Sequence, residues 1–153
     1  MRYRALVFIL VICVAALSGC GNKKDSVQTA ASAAVNDDRP VDLDLSKLSG
    51  TVVYSQVYDM LVEPEEYMGK KIRVEGIFGY YKDTDTKQEY FAVVIPDATA
   101  CCAQGIEFVR GGEYKYPVDY PPIDTDVTVT GIFGTYDEDG DTYIHLTDAQ
   151  IEW

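Results

Sequence analysis

Residues 41–153 predict an all-β domain with one short helix near its start. Three observations carry this expectation. Five stretches alternate apolar and polar residues, or run apolar over a strand's length, with turn residues between them. Two of these stretches echo each other: Val74-Glu75-Gly76-Ile77-Phe78-Gly79-Tyr80-Tyr81 resembles Val129-Thr130-Gly131-Ile132-Phe133-Gly134-Thr135-Tyr136, and each is followed by an acidic loop and another strand. Each also carries an internal glycine, which lets a long strand bend and serve two halves of a sheet. Five strands with long, glycine-kinked first and fourth members fit a five-stranded OB-like barrel best.

The elements follow in order. A helix is expected over residues 55–62, with Ser55 at its N-cap and Val57, Met60 and Leu61 on one side. Pro64 and Gly69 bracket one further turn. Residues 71–81 form the first strand, in which Ile72, Val74, Phe78 and Tyr80 share one parity and Gly76 is the expected bulge. Residues 82–88 are a polar hairpin loop. Residues 90–95 are an apolar strand stopped by Pro96-Asp97, and residues 106–109 are another, stopped by Gly111-Gly112. Pro117, Pro121 and Pro122 rule out a regular helix over 113–126. The helix that usually joins the third and fourth OB strands is therefore expected to be missing, with the N-terminal helix plugging the barrel end instead. Residues 126–136 and 142–152 are the last strands, joined by an Asp139-Gly140 hairpin turn.

Ahead of this domain, Arg2 and Arg4 precede an apolar run over 5–17 that ends in Leu17-Ser18-Gly19-Cys20. This pattern reads as a lipoprotein signal peptide over 1–19, too short for a comfortable membrane span. Cys20 is then the lipidation site, bearing thioether-linked diacylglycerol and palmitate. The alternative is an uncleaved anchor with an incidental cysteine. Residues 21–40 are small, polar and aperiodic and read as a flexible tether. Both readings put the domain outside the cytoplasm, and lipidation ties it to the cell membrane or the outer membrane.

The formal net charge is −12, and removing residues 1–19, with two basic and no acidic residues, takes it to −14. Such a surface repels phosphate backbones, which argues against a nucleic-acid partner. Of the four cysteines, Cys13 leaves with the signal and Cys20 is lipidated. Only Cys101 and Cys102 remain, side by side, so no distant pair staples the fold.

Two segments carry a resemblance to known proteins. Tyr67-Met68-Gly69-Lys70-Lys71-Ile72-Arg73-Val74-Glu75-Gly76 resembles the lead into the first strand of many bacterial extracytoplasmic OB-like domains. Asp97-Ala98-Thr99-Ala100-Cys101-Cys102-Ala103-Gln104-Gly105-Ile106-Glu107-Phe108 resembles the Cys-Cys-Ala segment of an uncharacterised family of bacterial lipoproteins. It is also similar to the last domain of a family of bacterial membrane proteins associated with predicted permeases. The likeness covers roughly residues 50 to 153. It implies an OB-like fold and a cell-envelope location, and it brings no catalytic role.

Three readings of Cys101-Cys102 stay open. Two thiolates suit zinc or copper(I), with the lone His145 as a candidate third ligand. In a regular strand, however, the two sulfurs would point to opposite faces. A vicinal disulfide would be strained and redox-sensitive. The third reading is a pair of small buried hydrophobes at a turn. On alternation, His145 is a surface residue between inward Ile144 and Leu146.

Asp137, Asp139 and Asp141 alternate in one hairpin, and Asp83 and Asp85 lie in the matching one. They read as solvated turn acids or as a shared weak cation site, since the two loops flank the ligand face of an OB-fold. Twelve tyrosines are many for this length, and Tyr80, Tyr81, Tyr90, Tyr136 and Tyr143 would frame that face. Tyrosine suits a protein, peptide or glycan contact, although β-propensity alone also places it on strands. No catalytic constellation emerges.

The expectation is therefore a non-enzymatic, membrane-anchored binding module for an envelope protein or transporter complex, without a cofactor. The alternative is a thiol-dependent accessory protein that uses Cys101-Cys102 for metal binding or redox sensing.

Overall fold

A computed structural model describes residues 37–99 and 101–153. The signal segment, Cys13, Cys20 and the tether up to residue 36 lie outside the described residues. No helix among the described residues is long and apolar enough to cross a membrane.

The described chain is mostly β-sheet with one α-helix. In order it forms β1 (Leu43–Asp44), a 3-10 turn (Leu45–Lys47), α1 (Gly50–Val62), a second 3-10 turn (Pro64–Glu66), β2 (Lys71–Lys82), β3 (Glu89–Pro96), β4 (Ala103–Arg110), β5 (Asp126–Glu138) and β6 (Asp141–Glu152). The order in the sheet is β1-β2-β3-β4-β6-β5, and β5 also pairs with β2. β4 and β6 run parallel, and the other pairings among β2–β6 are antiparallel. Asp37–Pro40, the end of the segment read as tether, lie against the start of β2, where the Lys71 ammonium donates to the Asp37 and Arg39 carbonyls.

β2 changes partner halfway along its length. Lys71 to Ile77 pair with β5, and Ile77 to Lys82 pair with β3. The crossover falls at Ile77, beside Gly76, where an added Cβ would sit 2.6 Å from the Val94 carbonyl oxygen. Gly76 is thus a point of close backbone approach and not the expected bulge, because the ladder runs through it without a shift. The bulge is in β6 instead. Phe108 pairs with Leu146 and Arg110 with Ala149, so β6 carries one extra residue there, and Asp148 takes a left-handed φ of 50°. The Asp139-Gly140 turn forms as expected, with φ of 53° and 93° and Glu138 paired to Asp141.

The core follows from period-two burial. Ile72, Val74, Phe78, Val93, Ile106, Phe108, Val129, Phe133 and Leu146 are all buried. α1 adds Val53, Val57 and Met60, spaced four and three apart on one face. The helix starts five residues earlier than expected, with Ser49 at its N-cap. Ser55 lies inside it, and its hydroxyl donates to the Thr51 carbonyl. Leu61 is exposed, because Val53 completes the buried stripe in its place.

Residues 113–125 form no helix, as their prolines require. They carry Tyr116 and Tyr120 onto the core, where Tyr120 stacks on Phe91 at 4.1 Å and Tyr116 on Tyr80 at 3.9 Å. α1 covers the Gln104 end of β4, whose amide donates to the Tyr54 hydroxyl. The proline-rich loop covers the other end, where Arg110 donates to the Asp119 carbonyl.

Candidate functional site

Alternation splits the tyrosines between two sides of the sheet. Tyr80 faces inward, packed on Tyr116 and Phe91, and leaves the expected binding face. Its parity with Ile72, Val74 and Phe78 carries that signal in the sequence. Tyr81, Tyr90, Tyr136 and Tyr143 face outward. Tyr81 pairs across strands with Tyr90, and Tyr136 with Tyr143, with ring centroids 6.0 and 5.5 Å apart.

Two carboxylates hold this face together. The Tyr90 hydroxyl donates to Glu138 at 2.7 Å, and the Tyr136 hydroxyl donates to Glu107 at 2.6 Å. The bond to Glu138 pushes the Tyr90 phenol up to about 12, so it stays a donor at neutral pH. Burial, then the bond to Glu107, raises Tyr136 as well. Burial also raises the Glu107 carboxyl, against the pull of Tyr136, and lowers His145, which favours the neutral imidazole. His145 is half-buried beneath Tyr136, with ring centroids 5.1 Å apart.

Glycine and alanine shape the surface between these groups. Gly79 pairs with Ala92, which pairs with Glu107, so the floor there is low. The result is a groove of about 500 Å³ that runs from Asp83 and Thr86 in one hairpin to Glu138 and Asp139 in the other, walled by Tyr81, Tyr90 and Tyr143. A second hollow of about 860 Å³ opens beside it. The β3–β4 pairing stops at Ala92 and Glu107, so the strand ends beyond it diverge over Phe91, Phe108 and Tyr120. Sequence reading missed Glu107 and Glu138, because only strand register brings them under Tyr136 and Tyr90.

The hairpin acids serve their own loops. Asp83 accepts from the backbone N–H groups of Asp85 and Thr86, and Asp137 accepts from the Thr142 hydroxyl. Asp139 sits in the turn itself. Asp83, Asp85, Asp137, Asp139 and Asp141 do not converge into a ligand set among the described residues.

The thiols lie at the opposite end of β3. Cys101 and Cys102 are both exposed and free, which overturns the reading as buried hydrophobes. They precede β4 instead of lying in it, so strand alternation does not separate them. Their sulfurs are 3.7 Å apart. Their neighbour is Asp97 and not His145, which sits opposite Glu107 on β6. The loop closes through the Asp97 N–H to the Cys102 carbonyl. Asp97 Oδ1 accepts from the backbone N–H groups of Thr99 and Cys101, and Oδ2 lies 3.3 Å from the Cys101 sulfur. Burial opposes ionisation of Asp97, but the bonds from Cys101 and Thr99 outweigh it and hold the carboxyl below its ordinary value. The bond shared with Cys101, then burial and the Asp97 charge, raises the Cys102 thiol.

The fold and these sites define a mostly-β domain with an outward aromatic and carboxylate face and a separate thiol loop. Comparison with protein-family models, with curated proteins and with solved structures finds no match for the chain.

Proposed function

We propose that the chain is a membrane-anchored extracytoplasmic lipoprotein whose β-domain is an OB-like barrel. In this reading the barrel acts as a non-enzymatic binding module for an envelope protein or complex. The return of the pairing ladder from β5 to β2, with β4 and β6 parallel, supports the closed OB-like reading. The position of α1 over β3, β4 and β6 supports its role as the plug of one barrel end. The signal pattern ending at Cys20 supports the lipid anchor.

The groove between the two hairpin loops carries the functional reading. An OB-fold presents its ligand face between such loops. Tyr81 and Tyr143 stand exposed on it, and interfaces favour such aromatic anchors. The paired hydroxyls and carboxylates give the face fixed polar contacts beside its aromatic walls.

The test is co-purification of the full-length lipoprotein with its membrane partners in mild detergent. Tyr81→Ala/Tyr143→Ala spares the core and is expected to weaken affinity for the partner roughly thirtyfold, a combined loss of about 2 kcal/mol, read as reduced recovery. Unchanged recovery with an intact fold would refute this face.

A further inference from the structure

We propose that the β3–β4 loop is a binding site for a zinc-class divalent cation, held by the Cys101 and Cys102 thiolates and one oxygen of Asp97. The inference stands on different residues from the tyrosine face and does not depend on it.

The spacing of the donor atoms is the first argument. Two sulfurs, each about 2.3 Å from one tetrahedral zinc ion, lie about 3.8 Å apart, and a sulfur and a carboxylate oxygen about 3.6 Å apart. The Cys101 and Cys102 sulfurs are 3.7 Å apart, and Asp97 Oδ2 is 3.3 Å from the Cys101 sulfur. All three donors fall within 4.8 Å of one another.

The support around the donors is the second argument. Asp97 Oδ1 is tied to the N–H groups of Thr99 and Cys101, which leaves Oδ2 turned toward the thiols. The Thr99 hydroxyl sits 3.0 Å from the Cys101 sulfur and 3.1 Å from each Asp97 oxygen. Such outer contacts orient ligands. The loop is closed at its base by Pro96 pairing with Ala103.

Donor chemistry selects the ion. Two thiolates disfavour magnesium and calcium, and the carboxylate favours zinc over copper(I). Binding displaces the two thiol protons to solvent, and the cation takes their place between the sulfurs and Asp97. Three protein ligands leave a fourth position, and both thiols face solvent. That position takes a water or a ligand from another molecule, as in exchangeable sites and not in closed structural ones.

The experiment is a cobalt(II) titration of the reduced full-length chain in detergent, with thiols counted beforehand and zinc added last. The expected result is one cobalt per chain, with a thiolate-to-cobalt charge-transfer band and a tetrahedral visible spectrum, both abolished by zinc. Cys101→Ser/Cys102→Ser is expected to remove the bands, and because Cys13 and Cys20 are unchanged in that variant, the lost signal belongs to this pair. Asp97→Asn keeps an acceptor for the loop N–H groups. It is expected to weaken binding by more than the roughly tenfold to hundredfold that loss of an outer contact costs. Circular dichroism of each variant checks that the sheet persists. No thiolate band in the wild-type chain, a band that survives the double variant, or an Asp97→Asn affinity equal to wild type would overturn the three-ligand site.

Discussion

Strand β3 carries different polar chemistry at its two ends. At the Tyr90 end, hydroxyls and carboxylates pair across long sequence separations, Tyr90 with Glu138 and Tyr136 with Glu107. At the Pro96 end, Asp97, Thr99 and the two cysteines bond to one another within a single short loop. The first arrangement exists only while the strands hold their register, and the second needs little beyond local turn geometry. The proposed contact face therefore depends on strand register, and the proposed cation site on local turn geometry.

Damage to the shared core should separate the two regions most. Phe108 is buried under the hollow beside the tyrosine groove. Phe108→Ala is expected to cost about 3–5 kcal/mol, read as a lower urea midpoint at unchanged slope. In the surviving folded population, the tyrosine ring signals should broaden before those of residues 97–102 do. Equal broadening at both ends would break the contrast.

A smaller effect tests the carboxylate pairs themselves. Tyr136→Phe removes the donor to a half-buried Glu107 and is expected to cost about 1–2 kcal/mol at neutral pH. The sign of its pH dependence follows from the raised Glu107 carboxyl. The folded state holds that proton more tightly than the unfolded chain, so this group's contribution is greatest below the ordinary glutamate range and falls as pH rises through its raised value. Loss of the tyrosine hydroxyl removes a bond to the charged form and widens that window. The variant should therefore lose more stability at neutral than at acidic pH. Urea midpoints for both proteins across this range give the answer, and a constant difference would contradict the pairing.

Much of the fold is legible in residue order, because burial alternates along each strand and turns have chemical signatures. Asp139-Gly140 and the prolines between 117 and 122 behave as those signatures require. Gly76 and Ser55 are ambiguous in residue order alone. A glycine in a strand serves equally for a bulge or a close approach, and only the Val94 carbonyl opposite decides. Ser55 looks like a cap until Val53 is known to be buried, which carries the helix back to Ser49. Within the candidate sites, the outward parity of Tyr81, Tyr90, Tyr136 and Tyr143 was available from alternation. Glu107 and Glu138 were not, because their partnership depends on which strands are neighbours. Asp97 was within reach, since an Asp two residues before a Thr is a local turn pattern.

Photo-crosslinking in intact cells tests the central claim most directly. A photoreactive residue at Tyr81, in the groove, is compared with one at Gln150, exposed on the far half of β6. The account predicts a discrete adduct from position 81 that disappears when Tyr143 is also changed to Ala, and none from position 150. An adduct from position 150 alone, or one from position 81 that is indifferent to Tyr143, would contradict a binding face between the two hairpin loops.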